Sequence, residues 1–509
     1  MANNLSGIRG STPHDKTLFA GVIVLLTFAA LFLGGVRPLP LAALEIAAVA
    51  LLVDLFLTEQ RTATGSKGLA SGSSGLLESL SRPARLYLAM LLILPLVQLL
   101  PMPMGLWSEL PGRGFYADAI RQSANGAAGF DWRAVSLVPS ATESAWLALL
   151  PPLSIFLVTI RFGQERLLAL VLVFLGIATA EALLGLIQYG SALKSDSAVG
   201  TYANRNHLAG LLEMALPVGL ALLAATAGHR HARGYYAPRK RIFRQWLAGF
   251  TVERINRTAV LIAVSLAILL GLIFSRSRAG LGLGMLGILL CTLMFSYRLG
   301  GHNAYGLTGT FIAIGVGLAS LIGLAPVWSR FAYSDPFEDG RWKIFDATIR
   351  AIGEFFPLGS GAGTFVEVLH RFHPADFPGV TINRAHNDYL EWLLEFGLFA
   401  AIFVAFGLVL YLRQWGKVWK RGEWTPFRFA QAGSGISLFL MMLHSLVDYN
   451  LRTPANAVFL AFLAGVFFHR TSTVRLKRLR RKDRQDASQV ALTIDYGIPI
   501  ENRKNPFQT

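Results

Sequence analysis

The sequence predicts an all-α protein that crosses a membrane many times, and three observations predict it. Hydrophobic residues make up 53% of the 509-residue chain and charged residues only 15%, whereas a soluble domain carries roughly 25% charged residues. Apolar runs of about 20 residues, the length a helix needs to cross the hydrocarbon of a bilayer, recur along most of the sequence. These runs are continuous, not alternating, which excludes a β-barrel. Helices also keep every backbone amide paired where lipid offers no partner.

Taken in order, the runs give about twelve spans: 18–36, 38–57, 86–107, 144–160, 167–189, 207–227, 258–275, 279–296, 307–328, 387–412, 428–447 and 455–469. The first lacks a small-residue cleavage site and reads as a retained helix. An even number of spans puts both termini on one side, together with 58–85, 161–166, 228–257, 297–306 and 413–427. Those segments hold about two-thirds of the 47 Lys and Arg, so the expected side is cytoplasmic. The net charge of +17 is then a topology signal and speaks against nucleic acid as a partner.

Between the spans, 60–75 is Gly/Ser-rich and reads as a flexible cytoplasmic linker. The tail from Arg470, 470–509, contains TVRLKRLRRKDRQ and reads as a basic anchor on anionic membrane lipids. Cys291, the single cysteine, lies in an apolar run and reads as a buried small hydrophobe. No internal repeat is visible, which weakens a transporter or flippase reading, since many transporters are built from repeated halves.

Two sizeable loops fall on the opposite, periplasmic side, 108–143 and 329–386. In the second, DGRWKIFDATIRAIGEFF spaces Trp342, Ile344, Phe345, Ile349, Ile352 and Phe356 by three or four, the stripe of an amphipathic helix lying on the membrane surface or capping a cavity. PLGSGAGTF ends that helix with Pro357 and a Gly-rich turn; it lacks the Lys-Ser/Thr of a phosphate loop. Asp335, Glu338 and Asp339 form an acidic loop without the Asp-x-Asp of a cation site. No His/Cys set has zinc spacing, and no serine nucleophile elbow appears.

The residues able to carry chemistry gather on the outer face. In GTYANRNHLAG (200–210), Arg205, Asn206 and His207 precede a helix, whose unpaired first amides attract anions; a cap with a basic interfacial anchor is the plainer reading. In SRSRAG (275–280), Arg276 and Arg278 lie two apart, so on a helix one would face inward and the other the headgroups. In NRAHNDYLEWLLEFG (383–397), His386 opens a helix whose dipole would keep the imidazole neutral, as a general base requires. In HSLVDYNLRTPANA (444–457), Asp448 and Arg452 stand one helical turn apart, the spacing of a salt bridge. Glu181, in ATAEALLGLIQYG, is a carboxylate inside a span, either functional or hydrogen-bonded to a neighbouring helix. Arginines match the oxygens of a pyrophosphate and stay charged, which suits a lipid-linked sugar donor that brings its own leaving group.

From about 165 to 470, through NRNHLAG, SRSRAG, GRWKIFDATIRAIGEFFPLGSGAGTF, HNDYLEWLLEFG and HSLVDYNLRTPA in that order, the chain resembles the O-antigen ligase and O-antigen polymerase superfamily of bacterial envelope glycosyltransferases. The resemblance implies an inner-membrane enzyme with its active site facing the periplasm. It implies metal-independent, inverting transfer of a glycan from undecaprenyl pyrophosphate to an acceptor sugar hydroxyl, with no cofactor. It also implies that His386 is the catalytic base, that Arg278 is a pyrophosphate ligand, and that Arg341 and Asn206 help hold the donor. Arg205 falls where the family varies. The acceptor is lipid A-core sugar in a ligase, the growing chain in a polymerase, or a protein hydroxyl in an oligosaccharyltransferase, with no extra domain to suggest the last.

Overall fold

The computed structural model describes residues 13–65, 80–123, 132–190, 197–228, 252–299, 309, 340–375, 377–420 and 424–470. The span 307–328, the acidic loop at 335–339, most of the 60–75 linker and the tail beyond Arg470 lie outside the described residues. The described helices and strands all belong to the compact unit that ends at Phe468.

The described chain is helical almost throughout. It begins with α1 (Pro13–Gly34), α2 (Pro38–Gly65) and α3 (Arg82–Gln98), then β1 (Pro101–Pro103), α4 (Met104–Ser108), α5 (Gly114–Ser123) and β2 (Trp132–Ala134). Next come α6 (Pro139–Leu147), α7 (Leu150–Arg161), α8 (Gln164–Gly190), α9 (Arg205–Gly228), α10 (Val252–Phe274) and α11 (Arg278–Leu299). The last part comprises α12 (Arg341–Phe355), α13 (Phe365–Leu369), α14 (Asp388–Phe396), α15 (Leu398–Lys420), α16 (Pro426–His444) and α17 (Pro454–Phe468). The two short strands pair antiparallel, Met102 opposite Arg133.

Among the described residues, eight helices are long and apolar enough to cross a membrane, so the protein is an all-α polytopic membrane protein. Of the other expected spans, α3 and α17 are short, and α16 is almost wholly buried within the bundle. Three expected boundaries change. The 86–107 span stops at Gln98, where Pro101 and Pro103 start a strand. The 144–160 span begins earlier, at Pro139, and is interrupted between α6 and α7. The 387–412 span is two helices, because Gly397 at φ 57° ends α14 where a Cβ would strike the Pro357 carbonyl.

α9 is the hub. Nearly all of its apolar stretch, 94%, is buried, whereas α10 and α11 are buried over 39%, as lipid-facing helices should be. It packs against α16, α11, α10, α8 and α17. Gly280 permits a close approach of α11, since a Cβ there would lie 2.5 Å from the Ala209 Cβ. Cys291 is buried, as expected of a small hydrophobe.

Opposite ends of the bundle are marked by different chemistry. At one end Arg161 bonds Asp15 at 2.6 Å and Glu59 at 3.0 Å, tying together the start of α1, the end of α2 and the α7–α8 turn. The other end carries a small apolar core of its own, built from Ile344, Ala351, Phe355, Phe365, Leu369 and Leu394. Here the 108–143 and 340–386 segments meet. Buried Arg113 donates to the Val135 carbonyl at 2.8 Å and lies over the Phe355 ring, and Thr142 donates to the Ala362 carbonyl at 2.8 Å. α12 is amphipathic but not along the expected stripe. Its inward face is Ile344, Ala347, Thr348, Ala351 and Phe355, while Trp342, Ile349 and Phe356 face out.

Candidate functional site

The site is built around a non-helical loop, 445–453, between α16 and α17. The loop leaves α16 with the Asp448 amide donating to the His444 carbonyl at 3.0 Å, and closes through a short 3-10 turn, Asn450–Arg452. Asp448 is therefore aimed inward at the start of α9 and at the segment that precedes α14.

Four groups converge on the Asp448 carboxylate. Asn206 donates to Oδ2 at 2.6 Å, the Arg341 guanidinium lies 3.6 Å from Oδ2, the Tyr449 amide donates to Oδ1 at 2.9 Å, and His386 Nδ1 lies 3.3 Å from Oδ1. Arg341 also donates to the Val447 carbonyl at 2.7 Å, fixing α12 to the loop. Burial alone would raise the Asp448 carboxyl, but the His386 hydrogen bond and the Arg341 charge hold it well below the usual carboxylate range.

His386 sits just outside α14. Asn387 is the cap, its side chain accepting from the Tyr389 and Leu390 amides at 3.0 Å each. His386 takes a positive φ of 52°, which turns its ring away from the helix and toward Asp448. The expected helix-dipole contact is thus replaced by a buried carboxylate. A carboxylate at Nδ1 selects the Nδ1–H tautomer and leaves Nε2 as a proton acceptor.

Tyr449 joins this cluster to a second imidazole. Its ring meets His386 edge-on at 4.9 Å between centroids and His207 at 4.7 Å. The Asn204 side chain lies beside its hydroxyl. A cavity of about 470 Å³ opens beside it, lined by Asn204, Arg205, His207, Arg384, Tyr449 and Arg452 among others.

Arg452 does not pair with Asp448, contrary to the one-turn spacing. The 3-10 turn points it at α14, where it bonds Glu395 and forms an ion pair with Glu391 at 3.1 Å; Arg384 reaches Glu391 at 2.9 Å. Both glutamates are fully buried. Asp388 lies beside this set and accepts from the Leu451 amide at 3.2 Å. Burial is the main cause that pushes its carboxyl up to about 7.

The remaining residues singled out in the sequence lie outside the cavity lining. Arg276, at φ 56°, is in the turn and not on a helix, while Arg278 is the first residue of α11, so their directions are not set by a common helix. Neither lines the 470 Å³ cavity, but their turn adjoins its wall, because the Ala198 amide donates to the Phe274 carbonyl at 2.8 Å. Glu181 accepts from the Thr201 amide and hydroxyl, both at 2.8 Å, and so holds the loop that leads into Arg205.

Residues 263–405 match the family model described as O-antigen ligase. That match places this part of the chain in the O-antigen ligase and polymerase superfamily, whose members are membrane glycosyltransferases acting on lipid-linked glycans. A search of curated proteins finds no match. The O-antigen ligase segment contains Arg278, Arg341 and His386, while Asn206 and Asp448 reach the same cluster from outside it.

Sequence reasoning missed Tyr449, Arg384 and Asn204. It also missed a buried pair inside the bundle, His444 and Glu213, 2.9 Å apart. Tyr449 adjoins Asp448 in HSLVDYNLRTPANA and was the easiest to find. Glu213 lies two turns into a helix read as uniformly apolar, where a single carboxylate disturbs the pattern little.

Proposed function

We propose that the protein transfers a glycan from undecaprenyl pyrophosphate to an acceptor sugar hydroxyl in cell-surface polysaccharide assembly, with His386 as general base. One observation carries the reading: an imidazole anchored at Nδ1 by the buried Asp448 carboxylate, at the edge of an arginine-lined cavity. The acceptor is a lipid A-core sugar or the growing glycan itself, and the chemistry is common to both.

A sugar hydroxyl is a weak nucleophile at neutral pH. His386 Nε2 takes its proton as the oxygen attacks the anomeric carbon, the carbon–oxygen bond to phosphate breaks, and the electron pair leaves with the pyrophosphate. A single displacement inverts the anomeric carbon. Arg205 and Arg384 line the space for the pyrophosphate charge, and Arg278 stands at the adjoining turn; guanidinium groups suit this task because they grip two oxygens at once. Asn206 and Arg341 hold Asp448, which holds His386. The distribution of Lys and Arg supports a topology in which the Arg161 end is cytoplasmic, with the termini, and the His386 end lies at the periplasmic face of a bacterial inner membrane.

The test is transfer by purified protein with a lipid-linked donor and a sugar acceptor. His386→Ala and His386→Gln should each lose about 10²–10⁴-fold in rate, the usual contribution of a positioned base, at unchanged protein level and donor affinity. Near wild-type activity of His386→Gln would make the residue a positioning group and overturn the assignment.

A further inference from the structure

The site contains a second imidazole, one of whose nitrogens is buried without a partner among the described residues. His207 is 4% exposed and lines the 470 Å³ cavity. Its Nδ1 lies 3.0 Å from the Thr453 hydroxyl, and its Nε2, though buried, has no hydrogen-bond partner among the described residues. A buried ring nitrogen without a partner costs free energy, which a ligand atom in the cavity would recover.

The neighbours decide what that ligand is. Arg205 and Arg384 line the same cavity, as do Ser197, Thr453 and Asn204, and among the described residues no Asp or Glu does. Such a lining recognises an oxyanion. The Thr453 hydroxyl is both donor and acceptor, so it serves either His207 tautomer by rotating. An anionic oxygen selects the form with Nε2–H, Thr453 then donating to Nδ1. His386 is fixed by Asp448 in the opposite tautomer. The Tyr449 ring thus contacts one imidazole set to accept a proton and another set to donate a hydrogen bond.

Resting on the transfer reading above, we infer that His207 donates a hydrogen bond from Nε2 to a departing pyrophosphate oxygen, with Thr453 setting its tautomer. As the acceptor oxygen bonds the anomeric carbon, its proton goes to His386. The electron pair of the breaking bond goes to the phosphate oxygen that His207 contacts. His207 keeps its proton throughout.

Binding of undecaprenyl pyrophosphate without a glycan, measured on the purified full chain in detergent, separates the two histidines. Undecaprenol is the control that lacks the headgroup. His207→Ala should weaken pyrophosphate-lipid binding by about 10–100-fold, the range for losing a hydrogen bond to a charged group, and leave undecaprenol binding unchanged. Thr453→Val should weaken it in the same direction and by less. His207→Gln retains an N–H donor and should recover most of the affinity, which keeps the test valid if the alanine variant folds poorly. His386→Ala should bind as wild type. Wild-type affinity in both His207→Ala and Thr453→Val would overturn this role while leaving the His386 assignment standing. Equal losses in the two histidine variants would overturn the division of labour. Failure of the wild-type protein to bind the pyrophosphate lipid would overturn the transfer reading and this inference with it.

Discussion

Two charged clusters lie four residues apart on one loop, and they are built on opposite principles. Around Arg452 every charge is answered: Glu391 and Glu395 are fully buried and share the guanidinium, and Arg384 supports Glu391. Around Asp448 the set is open at one point. The carboxylate is buried, but its partner His386 keeps 27% of its side chain exposed and one ring nitrogen free of Asp448. A closed ion set in a low-dielectric place holds helices in position, since removing one member strands the others. An open set transmits the orientation of a buried charge to the group that, in the proposed reaction, meets the acceptor.

The largest expected effect tests the open cluster. Asp448→Asn preserves shape but offers Nδ1 an amide, removing the charge that selects the Nδ1–H tautomer. Activity should fall by up to about 10⁴-fold, the loss such a change causes in a carboxylate–imidazole pair, while the protein is still produced. Initial rates beside thermal unfolding check this, and a variant with normal rates would show that the carboxylate only shapes the loop.

Arg452→Met tests the closed cluster and should act on folding. Stranding two buried glutamates costs about 3–5 kcal/mol, read as loss of yield and of thermal stability. Adding Glu391→Gln and Glu395→Gln should recover much of that loss. A soluble, stable Arg452→Met protein would mean that the ion set is not a brace.

The smallest effect concerns Asp388, between the two clusters. Its folded carboxyl titrates near 7, above the unfolded value of about 4, so the fold favours the protonated form. The contribution of this one group to stability should be highest below about pH 4, decline as pH rises toward 7, and flatten above it. Asp388→Asn removes this decline. Its melting temperature should match that of wild type at acid pH and exceed it at pH 8. A gap that does not change with pH would show the carboxyl ionising in its ordinary range.

Much of this organisation was legible in the residues. Eight of the expected spans, the amphipathic helix at 341–355 and the Gly-rich turn after it can be read from hydropathy, periodicity and caps, all of which are local; the position of His386 outside α14, ahead of the Asn387 cap, was not. The motifs around His386, Asp448, Asn206 and Arg341 were each visible as well. Their union was not, because they come from 206, 341, 386 and 448, and pattern within one segment carries no record of its distance from another. Where local spacing was used to infer a contact, as for Asp448 with Arg452, it failed, since the chain leaves the helix at His444 and a 3-10 turn changes the angle between the two side chains.

By itself, then, the sequence determined the solvent of each segment and the kinds of groups available at the outer face, because burial in lipid and helix propensity act residue by residue. Only the tertiary structure decided which nitrogen of His386 faces Asp448, that His207 beside the cavity has a buried nitrogen without a partner among the described residues, and that the glutamates of α14 take Arg452 for themselves. Hydrogen bonds and ion pairs depend on distances of about 3 Å and on direction, and those are set only when α9, α12, α14 and the 445–453 loop have packed together.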